Sequence, residues 1–448
     1  MKVINLTSVL LAIVIKLAFM PLLYAETITV DVSTDETGGL DDCELRSAIL
    51  AANTNNAVDG CTAGNGDDLI NFDAGVQVIL LNSSLPIITD NLEITGHGPD
   101  SLVIDGDDSH RIIHVGTNTD SFTLRNIQLF QGNAVNGGCM FAQAQDNILI
   151  EDVRVDTCFA SNGQGGGMFL YSEEPGSHFT LRRVYFTGNS AVPLGGGGLG
   201  ITADSASILD STFLGNSAVD PGGIGGGVVV GRITQLFVSR STFWANQAHT
   251  RGSAISTILA SQDLTIEHST FSQNNVTTTQ NLPGGAIYNK GTMSLLNSVV
   301  AGNLEQAAAH SRADVVTDVA ENLTTLGHNL IGNNSGAETA FPEGTQPNGD
   351  QSGTADALIN PELGALMDNG GSMPTSVPDA GSRLVDQGAC AGEAADQRNY
   401  NNPDTGLRPV LSGKGGTDIG AADLCDIGAV ERNASPSDAF LREGFESP

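Results

Sequence analysis

Five asparagines, Asn189, Asn216, Asn246, Asn274 and Asn303, recur at intervals of 27, 30, 28 and 29 residues. Each closes the same phrase: an apolar residue, then a small or apolar one three places on, Phe or an aliphatic at five, and Asn at eight. Ile208, Ser211, Phe213 and Asn216 make one copy, and Leu181, Val184, Phe186 and Asn189 another. Val238, Ser241, Phe243 and Asn246 follow the rule, as do Ile266, Ser269, Phe271 and Asn274, then Leu295, Ser298, Val300 and Asn303. An earlier copy, Ile150, Val153 and Val155, carries Cys158 in the Asn place. A glycine phase runs alongside: Gly137-Gly138-Cys139-Met140, Gly165-Gly166-Gly167-Met168, Gly197-Gly198-Leu199, Gly226-Gly227-Val228 and Gly284-Gly285-Ala286-Ile287.

Strand side chains alternate with period two, so the third and fifth positions share a face, while the odd gap before them demands a bend. One coil therefore holds more than one short strand. No unit can bury its own apolar face, so units must stack. The phenylalanines then form an inward column. Asn suits a turn, because it tolerates positive φ and its amide can reach the coils above and below. Glycine allows close passage at another corner. A leucine-rich horseshoe needs a denser Leu pattern with a shorter period, and a propeller needs longer blades; neither fits. The expectation is an all-β, right-handed parallel β-helix: a pectate-lyase-like solenoid with coils of about 28 residues. First strands are expected at Asp68–Phe72, Val78–Leu81, Leu92–Thr95 and Leu102–Asp105.

The charge of −32 excludes nucleic acid and anionic lipid as partners, and an anionic glycan is expected to bind only through a divalent cation. Residues 1–25 read as an export leader: Lys2, an apolar run from Val9 to Leu23, and Leu23-Tyr24-Ala25 before Glu26. No later stretch is apolar enough to span a bilayer. Six cysteines in an exported chain imply disulfides. Their local spacing suggests Cys43 with Cys61, Cys139 with Cys158, and Cys390 with Cys425. The middle pair is the weakest, because Cys158 holds an Asn slot and Cys139 follows a glycine pair, out of register. No CxxC spacing supports zinc, and no metal ligands can be named.

Near the start, Cys43-Glu44-Leu45-Arg46-Ser47-Ala48-Ile49 followed by Ala51-Ala52-Asn53 resembles the CSLREA domain that heads many exported bacterial β-helix proteins. Glu44 and Ser47 depart from its motif. Taken by itself, the segment is a short amphipathic helix with Leu45, Ala48, Ile49 and Ala52 on one side, fit to cap an open coil. Near the end, Asn329-Leu330-Ile331-Gly332, Asn360 to Gly371, Val385 to Cys390, Asp396-Gln397-Arg398 and Cys425 to Glu431 resemble the choice-of-anchor Q domain. That family comprises exported bacterial surface proteins with β-helix bodies, and it brings no catalytic residues. The tail from Asp438 to Glu446 resembles tails of exported Gram-negative proteins. The implied division is a leader (1–25), a CSLREA-like cap (26–66), the β-helix (67–335), a choice-of-anchor Q-like region (336–432) and a tail (433–448). The implied location is secreted or on the outer surface of a Gram-negative bacterium.

A hydrolase needs paired carboxylates, and a lyase needs an Arg or Lys base. Asp105, Asp107 and Asp108 with His110 and Arg111 form the densest cluster, but a strand-ending turn explains them. His97 between two glycines reads as a corner. Arg154, Arg182, Arg183, Arg232, Arg240 and Arg251 lie along the repeats with Asp152, Asp156, Asp210 and Glu267; Arg182 and Asp210 are expected to pair across coils. His249 with Arg251 is a weaker candidate. No nucleophile elbow or phosphate loop appears. The expectation is a non-catalytic, adhesin-like or structural protein with polysaccharide or surface proteins as partners. No cofactor is expected, calcium being the one ion the acidity leaves room for. The rival is a carbohydrate-active enzyme, which a stacked trio of outward carboxylates would favour; a Ser/Thr/Asn face would favour binding.

Overall fold

A computed structural model describes residues 26–36, 41–278, 284–305, 313–389, 396–398, 400–401, 424–430 and 435–436. The expected leader, most of the expected tail and Cys390 lie outside the described residues. The chain is a parallel β-solenoid. Each central coil contributes to three sheets, here called the first, second and third face. The first face is a twenty-stranded sheet that includes Asn147–Asp156 and His178–Thr187; the second has seven short strands, and the third has eight. The strands begin earlier than expected, with Thr27–Val30, which pairs in parallel with Asp68–Phe72; Val78–Leu80, Leu92–Thr95 and Val103–Asp105 follow.

The bend between the zero and third positions of the repeat falls on one residue per coil. Asn126, Asp152, Arg183, Asp210, Arg240, His268, Asn297 and His328 adopt φ between 45° and 55°. Left-handed backbone is uncommon outside glycine, and here it is stacked in a column. The bend reverses the alternation, so Leu181 and Val184 both point inward without exposure. Phe186, Phe213, Phe243 and Phe271 stack inside with centroids 4.7, 4.6 and 4.7 Å apart and planes within 10°. That offset keeps each ring over its neighbour at the coil repeat.

Corner backbone groups are buried and must find partners. The Asn side chains supply them. Asn216 Nδ2 donates to Phe186 O at 3.1 Å and to Asn246 Oδ1 at 2.9 Å, while its Oδ1 accepts the Asn189 backbone N–H at 3.2 Å. The pattern continues through Asn246 and Asn274 to Asn303. A second ladder runs beside it. Ser241 Oγ accepts the N–H of Ser211, Ser269 Oγ that of Ser241, Ser298 Oγ that of Ser269, and Asn329 Oδ1 that of Ser298.

Aspartates end both ladders. Asp350 Oδ1 accepts from Asn329 N and Nδ2 at 2.8 and 2.9 Å. Asp314 accepts from Asn303 Nδ2 at 2.8 Å and from Asn333 N at 2.7 Å. Burial pushes the Asp314 carboxyl up to about 7, against the hydrogen bonds donated to it.

A disulfide ends the Asn ladder at its other limit, and it corrects the register objection to Cys139–Cys158. The two Cα atoms are 5.5 Å apart and the bond is formed. Gly132 holds the Asn slot one coil before Cys158. A Cβ there would lie 2.6 Å from the Cys139 Cα, so only glycine admits the sulfur. Cys139 Sγ then accepts the Gly132 N–H at 3.2 Å. Sulfur thus stands where the next amide oxygen would be, and a slot side chain reaches back one coil, which aligns the pair.

At the N-terminal end, helix α1 (Leu45–Thr54) buries Leu45, Ala48, Ile49, Ala51 and Ala52 against the first coil. Cys43–Cys61 staples it. Arg46 grips buried Asp35 with two 2.8 Å bonds and donates to Ser83 O and Ser84 O. The apolar mouth of the solenoid is thereby closed.

Asn216→Ala is expected to cost about 1–3 kcal/mol in chemical denaturation, because four buried bonds lose a partner. Exposed Asn162→Ala is expected to change stability by less than about 0.5 kcal/mol. Asp314 gives a pH signature. Its folded carboxyl titrates above its usual 3.8, so its contribution is complete below about pH 4 and lost as pH rises through about 7. Thermal melts should show wild type losing stability against Asp314→Asn across that window.

Candidate ligand-binding faces

The third face presents an aromatic row in its early coils. Strand alternation turns Met140 and Met168 inward and Phe141 and Phe169 outward, where register pairs them. Their rings stack at 5.6 Å and 14°. His114 extends the row at 5.3 Å and Tyr171 at 5.9 Å. Gly200 continues the Phe169 column; a Cβ there would meet the Phe169 ring at 2.9 Å. All four rings are half-buried. The row opens into a polar cavity of about 450 Å³ lined by Thr117, Asn118, Gln143, Gln145, Tyr171 and Glu173, among others. A hydrogen bond to Glu173 raises the Tyr171 phenol above its usual value.

The first face carries charge near its middle. Glu151, 4% exposed, is held by Arg125, Arg182 and Arg183, with Nε of Arg182 and Nη2 of Arg183 each at 2.6 Å. Burial would raise its carboxyl, but the Arg183 and Arg182 bonds and charges outweigh that and hold it below the ordinary range. Arg183 is bidentate on Asp152 at 2.6 and 2.7 Å. Arg240 does the same to Asp210 at 2.7 and 3.2 Å. The expected Arg182–Asp210 pair is therefore corrected: Arg182 reaches back to Glu151, and Arg240 reaches back to Asp210. Arg182 sits in a strand column and Asp210 in the bend column, so a one-place offset separates them.

The other candidates disperse. Asp107 and Asp108 are exposed at positive φ, and Asp105 Oδ1 accepts the Asp107 N–H, as in a turn. Arg111 turns away, donating to Gly137 O and Asn136 O and lying 5.3 Å from the Phe141 centroid. Exposed His97 bonds only its own corner, at Ser101 O. Arg251 stacks 4.5 Å over Tyr288, whose hydroxyl meets Asp318. Burial and that bond push the Tyr288 phenol up to about 12, which disables it as a base near neutrality. Outward residues of the first face read Thr123, Leu149, Thr180, Ser207, Phe237, Thr265, Ser294 and Thr324. Among the described residues, no group of three His, Cys, Asp or Glu is placed to hold a metal ion.

The C-terminal segment returns along the first face, which the sequence did not announce. Leu384 and Ile427 pack on Val299 and Leu330. Asn297 Oδ1 accepts from Ala389 N at 3.1 Å, and Thr270 Oγ1 accepts from Ala429 N at 3.1 Å. Thr242 donates to Gln397, which donates to Thr212. Thr212 donates to Pro374 O at 2.9 Å. Thr212, the most N-terminal of these anchors, is one coil past Tyr185. Cys425 is buried and accepts from Asn297 Nδ2 at 3.3 Å, while Cys390, its expected partner, lies outside the described residues.

No family model, curated protein or solved structure matches this chain. No helix among the described residues is long and apolar enough to cross a membrane. The two disulfides fit an oxidising, extracellular setting.

Converting Cys139 and Cys158 together to Ser removes a cross-link over 19 residues. Loop closure then predicts a loss of about 3 kcal/mol by urea titration.

Proposed function

We propose that this chain is a non-catalytic, secreted or cell-surface solenoid that binds glycans through the aromatic row of its third face. The observation that carries the reading is that row, half-buried and continuous with a cavity of amides and carboxylates. Aromatic faces offer an apolar platform, and planar polar side chains around it fix orientation, which is the composition of a selective pocket. The non-catalytic half of the proposal draws on Glu151. A general acid needs a carboxyl raised toward working pH, whereas Arg183 and Arg182 lower this one. Ser and Thr fill six of the eight places in the outward column from Thr123 to Thr324, as a displaying surface would have. The motifs around Cys43 and Asn360 resemble parts of exported surface proteins and agree with this role.

The test is a glycan array probed with the full chain. Phe169→Ala with Tyr171→Ala should lose binding by roughly tenfold or more, as expected for two stacking platforms of about 1 kcal/mol each, while the melting temperature holds. Parallel assays for reducing-sugar release and unsaturated products should stay blank. Turnover abolished by Glu151→Gln would replace this proposal with a carbohydrate-active enzyme.

A further inference from the structure

We propose that the outer side of the first face holds a second site, independent of the aromatic row, for a carboxylate- or sulfate-bearing glycan, built on Arg154 and Arg182. The chain has only 19 Lys and Arg against 51 Asp and Glu. Four of those arginines, Arg125, Arg154, Arg182 and Arg183, stand on three successive coils of this face. Their acidic neighbours are Glu93, Glu151, Asp152 and Asp156, each engaged in an ion pair. The window is therefore locally neutral in a chain of charge −32, and an anion approaching it meets none of the surplus repulsion found elsewhere.

The arginines keep donors to spare. Arg154 gives Nη2 to Asp156 at 2.7 Å and lies 5.4 Å from the Tyr185 centroid. Its Nε is buried and has no hydrogen-bond acceptor. The exposed part of the Arg154 side chain, 35% accessible, carries the guanidinium hydrogens an oxyanion can reach, and a charge-assisted bond to them is favourable. Arg182 commits Nε and Nη2 to Glu151 and keeps its side chain 43% exposed. Gln128, Arg154 and Tyr185 share one outward column, so amide, guanidinium and ring line up at the coil spacing. Thr212 continues that column, and there Pro374 and Gln397 of the strap rise over it. The strap thus walls the window on its Thr212 side, giving an edge along which a chain-like ligand can lie.

This reading reverses the expectation that acidic glycans need a bridging cation. Calorimetry on the full chain in EDTA is the test, with hexagalacturonate, an oligomer of dextran sulfate and neutral dextran as probes. At least one anionic probe should bind and the neutral one should not; which anionic probe binds assigns carboxylate or sulfate. Arg154→Gln should weaken that binding by about tenfold or more, as losing a charge-assisted bond does, and Arg182→Gln should weaken it less. Circular dichroism melts of both variants should match wild type, and Phe169→Ala should leave this binding intact. No anionic binding in EDTA, binding that appears only with calcium, or equal affinity in Arg154→Gln would overturn the proposal.

Discussion

A solenoid coil can turn only by burying backbone groups that no strand within that coil can answer. The structure meets that demand with side chains that act between coils. Each slot asparagine lends one oxygen to the coil before it and its nitrogen to both neighbours. Each serine at the bend accepts an N–H from the coil before it and donates its hydroxyl within its own coil, as Ser241 Oγ does to Ser239 O. The ladders are directional, and so each needs an ending of its own kind. Carboxylates Asp314 and Asp350 accept without having to donate onward. At the opposite end, a sulfur beside Gly132 accepts the last N–H. The phenylalanine stack depends on these ladders, because rings overlap only while coils stay in phase.

Much of this was legible in the sequence because the ladders recur. A column seen five times declares its period, and the Phe and Asn positions read directly into the inward stack and the corner. What recurs once was not legible. Asp314 breaks the spacing it completes, so nothing marked it as a ladder end. Cys139 and Cys158 looked misaligned because the backward reach of a slot side chain leaves no trace in residue type. Arg182 and Asp210 were paired on nearly equal offsets, yet one position divides a strand from a left-handed bend. The docking of Leu384, Gln397 and Ile427 on the first face spans long sequence distances without periodicity, and no local pattern could place it.

The same geometry underlies the proposed division between binding and turnover. The carboxylates gathered on the first face are saturated by arginine, and the phenol of Tyr288 is buried between Arg251 and Asp318. Charges spent on each other are poor acid–base catalysts, but they make a stiff surface. On the third face, aromatic rings lie open because Gly200 leaves the Phe169 edge uncrowded. A fold whose every element is fixed by its neighbours presents such rings at low entropic cost.

The strap changes how such a protein could lengthen or shorten over evolution. The strap anchors described above reach back to Thr212, so duplicating or deleting a coil between the cap and Thr212 would leave those anchors in phase. Coils from Thr212 to Leu330 lie beneath a segment whose anchor points are fixed along its own length. Losing one of those would slide Gln397, Ala429 and Leu384 off their partners together. The C-terminal segment therefore works as a ruler: its anchor points fix the number of coils between Thr212 and Leu330, and its near end marks the edge of the second proposed site.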